Sequence, residues 1–348
     1  YQRLQDGGGG TMTGLLWSTV FGGQIYAIAD FAGTIHHFYN GTRVSDWDGG
    51  SNNPTDKGEL ALTFGDFVYS PAESVLYRPK LRDPTNWTST ETGAAAINMA
   101  NHAAGSEVLT ALGVYQEQLA VFARSTTQLW AMDPDPTNNV RIRTLENFGT
   151  RAPGSVVQFG SNDLVLLTDQ GIRSLRPRDS SGAPNVTGIG EPIDDFVIPL
   201  VRALSDEDAS IIRGTFEQED GRYWLDIDGT MPVFTYFPVS KISAWSYYAL
   251  GFTVDWFTQL YNREYARSGD TIYLYGGSSH DQYDTSEVEV ITNFLAGGKP
   301  AHFKGWSGLD LGIEGTWDAW LLTDPTNLNI RSYIGQFTRE TYSRRWNP

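Results

Sequence analysis

Residues 108–132, with the sequence VLTALGVYQEQLAVFARSTTQLWAM, carry the pattern that decides the fold. Apolar runs of about six residues are separated by turn-forming pairs, first Gln116 and Glu117 and then Ser125 and Thr126. A polar loop follows at residues 133–139, and the pattern restarts at Val140. Short apolar runs bounded by polar turn residues are typical of β-strands joined in hairpins. The segment therefore predicts one unit of short antiparallel strands.

The same pattern recurs on both sides of this unit. Four short strands fit the first ~50 residues, where Asn40 and Gly41 supply the positive φ angles of a two-residue hairpin turn. Similar units follow at residues 60–78 and 155–175, at intervals of about 40 to 50 residues. Tryptophans lie 30, 40 and 43 positions apart, at Trp17, Trp47, Trp87 and Trp130. This period, with short strands of rarely more than about six residues, predicts the blades of a β-propeller.

Residues 192–216 interrupt the strand pattern. Their apolar residues follow three- and four-residue spacing, and an acidic run from Ser205 to Asp208 precedes a second apolar group. This spacing predicts a helical insertion near residues 193–212, with an acidic helix start. Strand-like units resume afterwards, and the Asp228-Gly229 turn lies between two runs of alternating polarity.

Five blade-like units are readable and a sixth is plausible, so the sequence predicts an all-β fold, a β-propeller of about six blades with a short helical interruption. A unit at residues 313–322 is included in this count. No Pro/Ser-rich linker and no charge run divides the chain, and residues 1–348 are predicted to form a single propeller domain, with small tip elements in the loops.

Composition excludes several classes of function. The 41 Asp+Glu and 25 Lys+Arg residues give a net charge of −16, which argues against a protein that binds free nucleic acid. The chain has no Cys, so disulfides, Cys-ligated zinc, iron–sulfur clusters and thiol nucleophiles are excluded. No apolar run approaches the ~18 residues of a membrane span. Aromatic residues at 13% and 37 Gly suit strands closed by tight turns.

Two patterns bear a superficial likeness to metal sites. His36 and His37 are adjacent on a predicted strand, where neighbouring side chains point to opposite faces and cannot hold one ion. Asp133, Asp135 and Asn138 resemble the start of a calcium loop, but the loop has no Gly at the turn and no closing Glu. Neither pattern predicts a metal, and no cofactor motif is present; an inter-strand loop is the interpretation of residues 133–139.

Three patterns bear on catalysis. Residues 276–280 form only a Gly/Ser turn, since no Gly-x-Ser-x-Gly elbow occurs in the chain. Asp194 with Asp195, and Glu287 with Glu289 on one face of a predicted strand, could each be a carboxylate pair of a glycosidase, although adjacent surface acids are the ordinary explanation. Residues 307–317 hold the letters of a glycosidase turn, Ser-x-Asp-x-Gly-x-Thr-Trp, with extra residues between them. We predict that the protein is not an enzyme and has no catalytic residues.

Residues 109–136, 149–155 and 162–175 resemble the tail-nozzle proteins of short-tailed bacteriophages, also called packaged-DNA stabilisation or tail tubular proteins. Further matches of this kind are Ser70 with the Asp-Pro-Thr-Asn-Trp sequence at 83–87, and residues 304–317. The resemblance covers roughly residues 60–320. It consists of the general order and type of residues along the chain and includes no catalytic signature.

The resemblance implies a propeller-containing structural protein of the virion tail. Six copies would form an axial ring below the portal and adaptor, retain the packaged DNA and conduct it on ejection. The implied partners are copies of the chain in a hexamer, the portal–adaptor ring, other tail proteins and DNA in non-specific passage, with no membrane insertion. An acidic subunit would repel DNA phosphates around such a channel. The alternatives are a propeller that binds or cleaves glycans on the tail, and an adhesive propeller that binds proteins.

Overall fold

The structure is a computed structural model that describes residues 12–44, 57–88, 93–102, 107–160, 163–177, 184–237, 242–277, 288–292, 294, 312–313 and 315–338. The chain divides into two compact units, Tyr1–Gln282 and Tyr283–Pro348. The sequence predicts a single domain over residues 1–348, since neither a Pro/Ser-rich linker nor a charge run divides the chain.

The first unit is a six-bladed β-propeller, as predicted. Its first three blades are four-stranded antiparallel sheets in which each strand pairs with the next in sequence. The first blade contains β1 to β4, at Met12–Phe21, Gln24–Phe31, Thr34–Tyr39 and Thr42–Arg43. The second contains β5 to β8, at Leu62–Phe64, Phe67–Ala72, Val75–Arg78 and Ala95–Asn98. The third contains β9 to β12, at Leu109–Tyr115, Gln118–Ala123, Thr126–Ala131 and Val140–Glu146.

The remaining blades repeat this arrangement. The fourth contains β13 to β16, at Val157–Phe159, Asp163–Thr168, Gly171–Pro177 and Pro184–Thr187. The fifth contains β17 to β20, at Arg213–Glu217, Arg222–Asp226, Thr230–Phe237 and Ile242–Ala249. The sixth has three strands among the described residues, β21 to β23, at Trp256–Leu260, Arg263–Ser268 and Thr271–Leu274. The 10-residue β1 and the 8-residue β2, β19 and β20 are longer than the predicted strands.

The helical insertion lies between the fourth and fifth blades, where it was predicted. A 3-10 turn at Glu191–Ile193 leads into α1 (Asp194–Ala203), and α2 (Asp206–Ser210) follows. Ser205 begins α2 with a capping box, because its hydroxyl accepts from the backbone N–H of Asp208 while the Asp208 carboxylate accepts from the backbone N–H of Ser205. Val197 and Val201 bury one side of α1 in a core that also contains residues of the fourth and fifth blades.

The hydrophobic core lies between successive blades. One cluster joins residues of the first and second blades, others join the second and third, the third and fourth, and the fifth and sixth. Trp87, for example, is 1% exposed and belongs to the second blade's outer loop, yet its ring packs near Tyr26 of the first blade. Each blade therefore depends on its neighbours for burial, which is how repeated sheets acquire stability.

Two-residue turns set the register of the hairpins. Asn40 and Gly41 join β3 to β4 with φ angles of 48° and 78°, and Asp228 and Gly229 follow β18 with 51° and 79°. Positive φ at both positions is the geometry of the turn that matches the twist of paired strands. The sequence prediction of these two turns is confirmed.

An identical tetrapeptide, Asp-Pro-Thr-Asn, occurs at residues 83–86, 135–138 and 324–327. In each copy one Asp carboxylate oxygen accepts from the backbone N–H of the Thr two residues later, at 3.2, 2.9 and 2.8 Å, and from its hydroxyl, at 2.6, 2.7 and 2.6 Å. Two copies lie in the loop before the fourth strand of a blade. The third joins β24 (Thr316–Leu322) to β25 (Arg331–Thr338), the antiparallel hairpin of the second unit.

Candidate functional site

Side chains of three blades meet where the first strands of the blades converge. The Trp17 and Trp256 rings, on β1 and β21, are in edge-to-face contact with centroids 5.2 Å apart. The guanidinium carbon of Arg213, on β17, lies 5.6 Å from the Trp17 ring and 5.0 Å from the Trp256 ring. Arg213 of the fifth blade therefore contacts the first blade across the first strand of the sixth. These three residues, from three consecutive blades, are here called the axial cluster.

The axial cluster also joins the last blade to the first. First strands of successive blades contact one another from β1 through to β21, and the Trp17–Trp256 contact completes the circle. Arg213 is held by the backbone, since its Nη1 donates to the carbonyl oxygens of Ser210 and Ile212 at 2.7 and 3.0 Å. Burial lowers the pKa of Arg213 to about 10, although the Asp255 carboxylate opposes the shift. The cluster therefore combines aromatic contact with a cation held over two π faces.

The strand order defines two faces of the propeller. The turn between the first and second strands and the loop between the third and fourth strands lie at one end of each sheet, here called the hairpin face. The turns between the second and third strands and the connections between blades lie at the other end, here called the connector face. Gly154 and Arg213 form a parallel bridge where the first strands of the fourth and fifth blades begin, so these blades have the same orientation.

The hairpin face is acidic. In its described turns and loops the basic residues are Lys80 and Arg82, whereas the acidic residues are Asp66, Asp83, Glu117, Asp133, Asp135, Glu219 and Asp220. Arg82 is paired with Asp66 at 3.2 Å, which neutralises one of these carboxylates. The excess of negative charge on this face repels phosphates and other anions.

Two buried carboxylates, Glu217 and Glu264, lie where the fifth and sixth blades approach the hairpin face. Glu217 is 3% exposed and accepts from the backbone N–H groups of Glu219 and Asp220, at 2.6 and 3.0 Å. Glu264 is 4% exposed, and neither of its carboxylate oxygens accepts a hydrogen bond within the described part of the chain. Burial raises the pKa of Glu264 to about 7. The polar side chains of Gln259 and Thr215, which lie nearby, oppose this shift, and the negative charge of Glu217 adds to it. Neither glutamate belongs to a pattern that was recognised in the sequence.

The histidine pair and the aspartate loop have structural partners. Both rings of His36 and His37 are buried, and the two nitrogens of His37 lie 2.8 Å from the Tyr26 hydroxyl and 2.8 Å from the carbonyl oxygen of Gly58. In the loop at 133–139, the buried Arg78 guanidinium donates to the carbonyl oxygens of Asp133 and Pro134, at 2.6 and 3.0 Å. Among the residues that the structure describes, no group of three His, Asp or Glu side chains is arranged for a metal ion.

Of the two carboxylate pairs, the structure describes Asp194, Asp195 and Glu289, and these three side chains have different surroundings. Asp194 begins α1 and accepts from both Nη atoms of Arg173, at 3.0 and 2.8 Å, while Asp195 is exposed. Glu289 is exposed, lies outside the strands and forms an ion pair with Arg331 at 3.4 Å. This differs from the strand position predicted for Glu289, and Glu287 lies outside the described residues.

The Gly/Ser turn and the glycosidase-like segment are described only in part. Gly276 and Gly277 form a turn after β23, while residues 278–280 lie outside the described part. Of residues 307–317, Thr316 and Trp317 begin β24, and the positions of Ser307 and Asp310 are not described. No helix of the described residues is long and apolar enough to cross a membrane.

Comparison with models of known protein families and with curated protein sequences finds no match. Solved structures of propeller proteins do match. A protein from Lactobacillus plantarum is 10% identical, with a TM-score of 0.50 over 78% of this chain and 83% of that chain. BamB from Moraxella catarrhalis is 10% identical, with a TM-score of 0.40 over 74% and 81%. The CNH domain of AfRom2 is 10% identical, with a TM-score of 0.43 over 75% and 80%. At these identities the likeness concerns the fold alone.

Proposed function

We propose that this protein is a structural component of the virion tail of a short-tailed bacteriophage. In this role, copies of the chain form an axial ring, or nozzle, below the portal and adaptor, retain packaged DNA and conduct it on ejection. The observation that carries the proposal is the resemblance of residues 109–136, 149–155 and 162–175 to tail-nozzle proteins. These residues belong to the third and fourth blades and to the segment that joins them.

The axial cluster bears on the path of DNA in such a ring. Because Trp17, Arg213 and Trp256 meet where the first strands of three blades converge, we propose that DNA does not pass through the propeller itself. It passes instead through a lumen that several subunits enclose. A closed ring of this kind uses a heterologous interface whose rotation returns to its start, and six copies are expected.

Charge also supports a conducting role. DNA that slides through a tube is impeded by strong phosphate contacts, and the acidic hairpin face together with the net charge of −16 disfavours them. We propose that the hairpin face, or part of it, borders the lumen.

Negative-stain imaging of tails released from virions, labelled with an antibody against this chain, tests the proposal. Label in the axial tube beneath the portal is the expected result. Label on the capsid shell or on lateral fibres would contradict the nozzle function. A second assay, incubation of the protein with surface polysaccharide, separates the glycan alternative: retained glycan or new reducing ends would favour a glycan-binding or glycan-cleaving module.

A further inference from the structure

A cleft of about 590 Å³ opens on the connector face, where the third and fourth blades meet the helical insertion. Its lining combines charged and polar side chains from both blades and from the insertion: Arg124, Arg151, Asp169, Gln170, Arg202, Leu204, Ser205 and Asp206. Three arginines and two aspartates give this lining one excess positive charge. Such an excess is notable in a chain whose net charge is −16.

Arg151 lies in the wall of the cleft, and most of its guanidinium N–H groups already donate to acceptors of the protein. Its side chain is 10% exposed, and its Nε and Nη1 atoms lie 2.8 Å from carboxylate oxygens of Asp169 and Asp206. The same guanidinium donates to the carbonyl oxygens of Val201 and Leu204, at 2.9 and 3.1 Å, where α1 ends. Arg151 therefore ties the helical insertion to the fourth blade and orients the two carboxylates.

The guanidinium groups of Arg124 and Arg202 have N–H donors that make long hydrogen bonds, or none, to described residues of the protein. Arg124 has a side chain that is 54% exposed, and its contacts with Asp169 and Asp206, at 3.4 and 3.3 Å, are longer than those that Arg151 makes to the same carboxylates. Arg202 is exposed and has neither an ion pair nor a hydrogen bond from its side chain among the described residues. Two guanidinium groups with open donors thus line one cleft.

We propose that this cleft binds a small polyanion with carboxylate or phosphate groups, held by Arg124 and Arg202. Planar guanidinium groups match the spacing of carboxylate and phosphate oxygens and form the stronger, charge-assisted class of hydrogen bond. The volume lies within the range of small-molecule sites, and the exposed side chain of Gln170 adds a neutral donor. The proposal is independent of the tail function, since it rests only on this cleft.

Asp206 competes with such a ligand. Its carboxylate is charged at neutral pH, as an aspartate ordinarily is, and hydrogen bonding to Arg151 and the charge of Arg124 lower its pKa further. An anion that enters the cleft meets this charge and draws Arg124 away from it. Loss of the Asp206 charge therefore favours the ligand, whereas loss of the Arg202 charge disfavours it.

Isothermal titration calorimetry of the full chain with citrate and with inorganic phosphate, at constant ionic strength, tests the proposal. We expect saturable binding of at least one probe, about tenfold or more weaker in Arg202→Gln and tighter in Asp206→Asn. Arg82→Gln, which removes an exposed arginine of the hairpin face, is the matched control and leaves the affinity unchanged. Tighter binding of citrate identifies a carboxylate ligand, and tighter binding of phosphate identifies a phosphorylated one.

Three results would overturn the proposal: no saturable binding of either probe, equal affinity in Arg202→Gln and the unmodified chain, or weaker binding in Asp206→Asn. Circular dichroism and the unfolding midpoint of each variant show whether it is folded. Arg202→Gln breaks no described contact, so its folding is expected to be unaffected.

Discussion

Trp17 of the first blade and Trp256 of the sixth blade meet edge to face, with their ring centroids 5.2 Å apart. They are separated by more than two hundred residues in sequence, and Arg213 of the fifth blade lies over both rings. This contact joins the two ends of the propeller unit, so its loss affects the closure of the ring rather than any single blade.

Trp256→Ala is expected to destabilise the propeller by about 2 kcal/mol or more, because the substitution removes a large half-buried ring and its aromatic contact. Urea denaturation followed by Trp fluorescence measures the change. Trp320→Ala, in the hairpin of the second unit, is the matched control and should leave the unfolding of the propeller unchanged. Equal effects of the two substitutions would show that Trp256 has no special part in closure.

The contribution of Glu264 to stability should fall as pH rises toward 7, because its carboxylate is buried and no hydrogen-bond partner for it is found among the described residues. Its pKa is about 7 in the folded state, against an ordinary value of 4.5. The folded state therefore holds the proton more tightly. The stabilisation of the folded state by this tighter proton binding is fully present below about pH 4.5. It is lost as pH rises through about 7, and the loss is on the order of 3 kcal/mol.

Glu264→Gln should remove most of this pH dependence and make the protein more stable than the unmodified chain above pH 7. Unfolding free energies at pH 5 and pH 8 measure the effect. Glu289→Gln, which changes an exposed carboxylate of the second unit, serves as control. If the Glu264→Gln variant and the unmodified chain had the same pH profile, the dependence would belong to other groups.

Arg78 should contribute more to stability than any exposed arginine. It is 0% exposed and donates to the carbonyl oxygens of Gly93, Asp133 and Pro134, at 2.8, 2.6 and 3.0 Å. Arg78→Met leaves these carbonyls without their donor and should cost about 3 kcal/mol or more. Arg82→Met, at a position 74% exposed, should cost less than about 0.5 kcal/mol by the same denaturation measurement. Similar losses in both variants would contradict a central role for Arg78.

The stability of the Asp-Pro-Thr-Asn loops should depend on the aspartate carboxylates, which accept hydrogen bonds within each turn. Asp135→Ala removes the acceptor for the Thr137 N–H and hydroxyl and should lower the unfolding midpoint, whereas Asp135→Asn keeps an acceptor oxygen and should lower it less. Glu59→Ala, at an exposed position outside the strands, is the control. If Asn were no better than Ala, the side-chain hydrogen bonds would not account for the loop's stability.

Much of the propeller could be predicted because its signals are local. Asn40 with Gly41, and Asp228 with Gly229, specify hairpin turns through their own backbone preferences, and alternation of apolar residues over a few positions specifies the strands. The capping residues Ser205 and Asp208 similarly mark the start of α2. The repeat of about 40 to 50 residues then follows from counting such units.

The division into two units could not be predicted, for a related reason. The hairpin of β24 and β25 has strand and turn signals like those of a blade, including the same Asp-Pro-Thr-Asn loop as the third blade. Local patterns predict that strands form, but they do not predict which sheet each strand joins.

The amino-acid sequence is sufficient for the blade period, the hairpin turns and the helical insertion, since each depends on residues a few positions apart. The axial cluster of Trp17, Arg213 and Trp256, the buried carboxylate of Glu264 and the cleft around Arg124 and Arg202 emerge only in the folded chain. In each case the side chains come from different blades or from the insertion, and their burial depends on how sheets distant in sequence pack together. Burial and long-range contact set the pKa of Glu264 and the position of Arg213, because a group's electrostatic environment is a property of space and not of sequence distance.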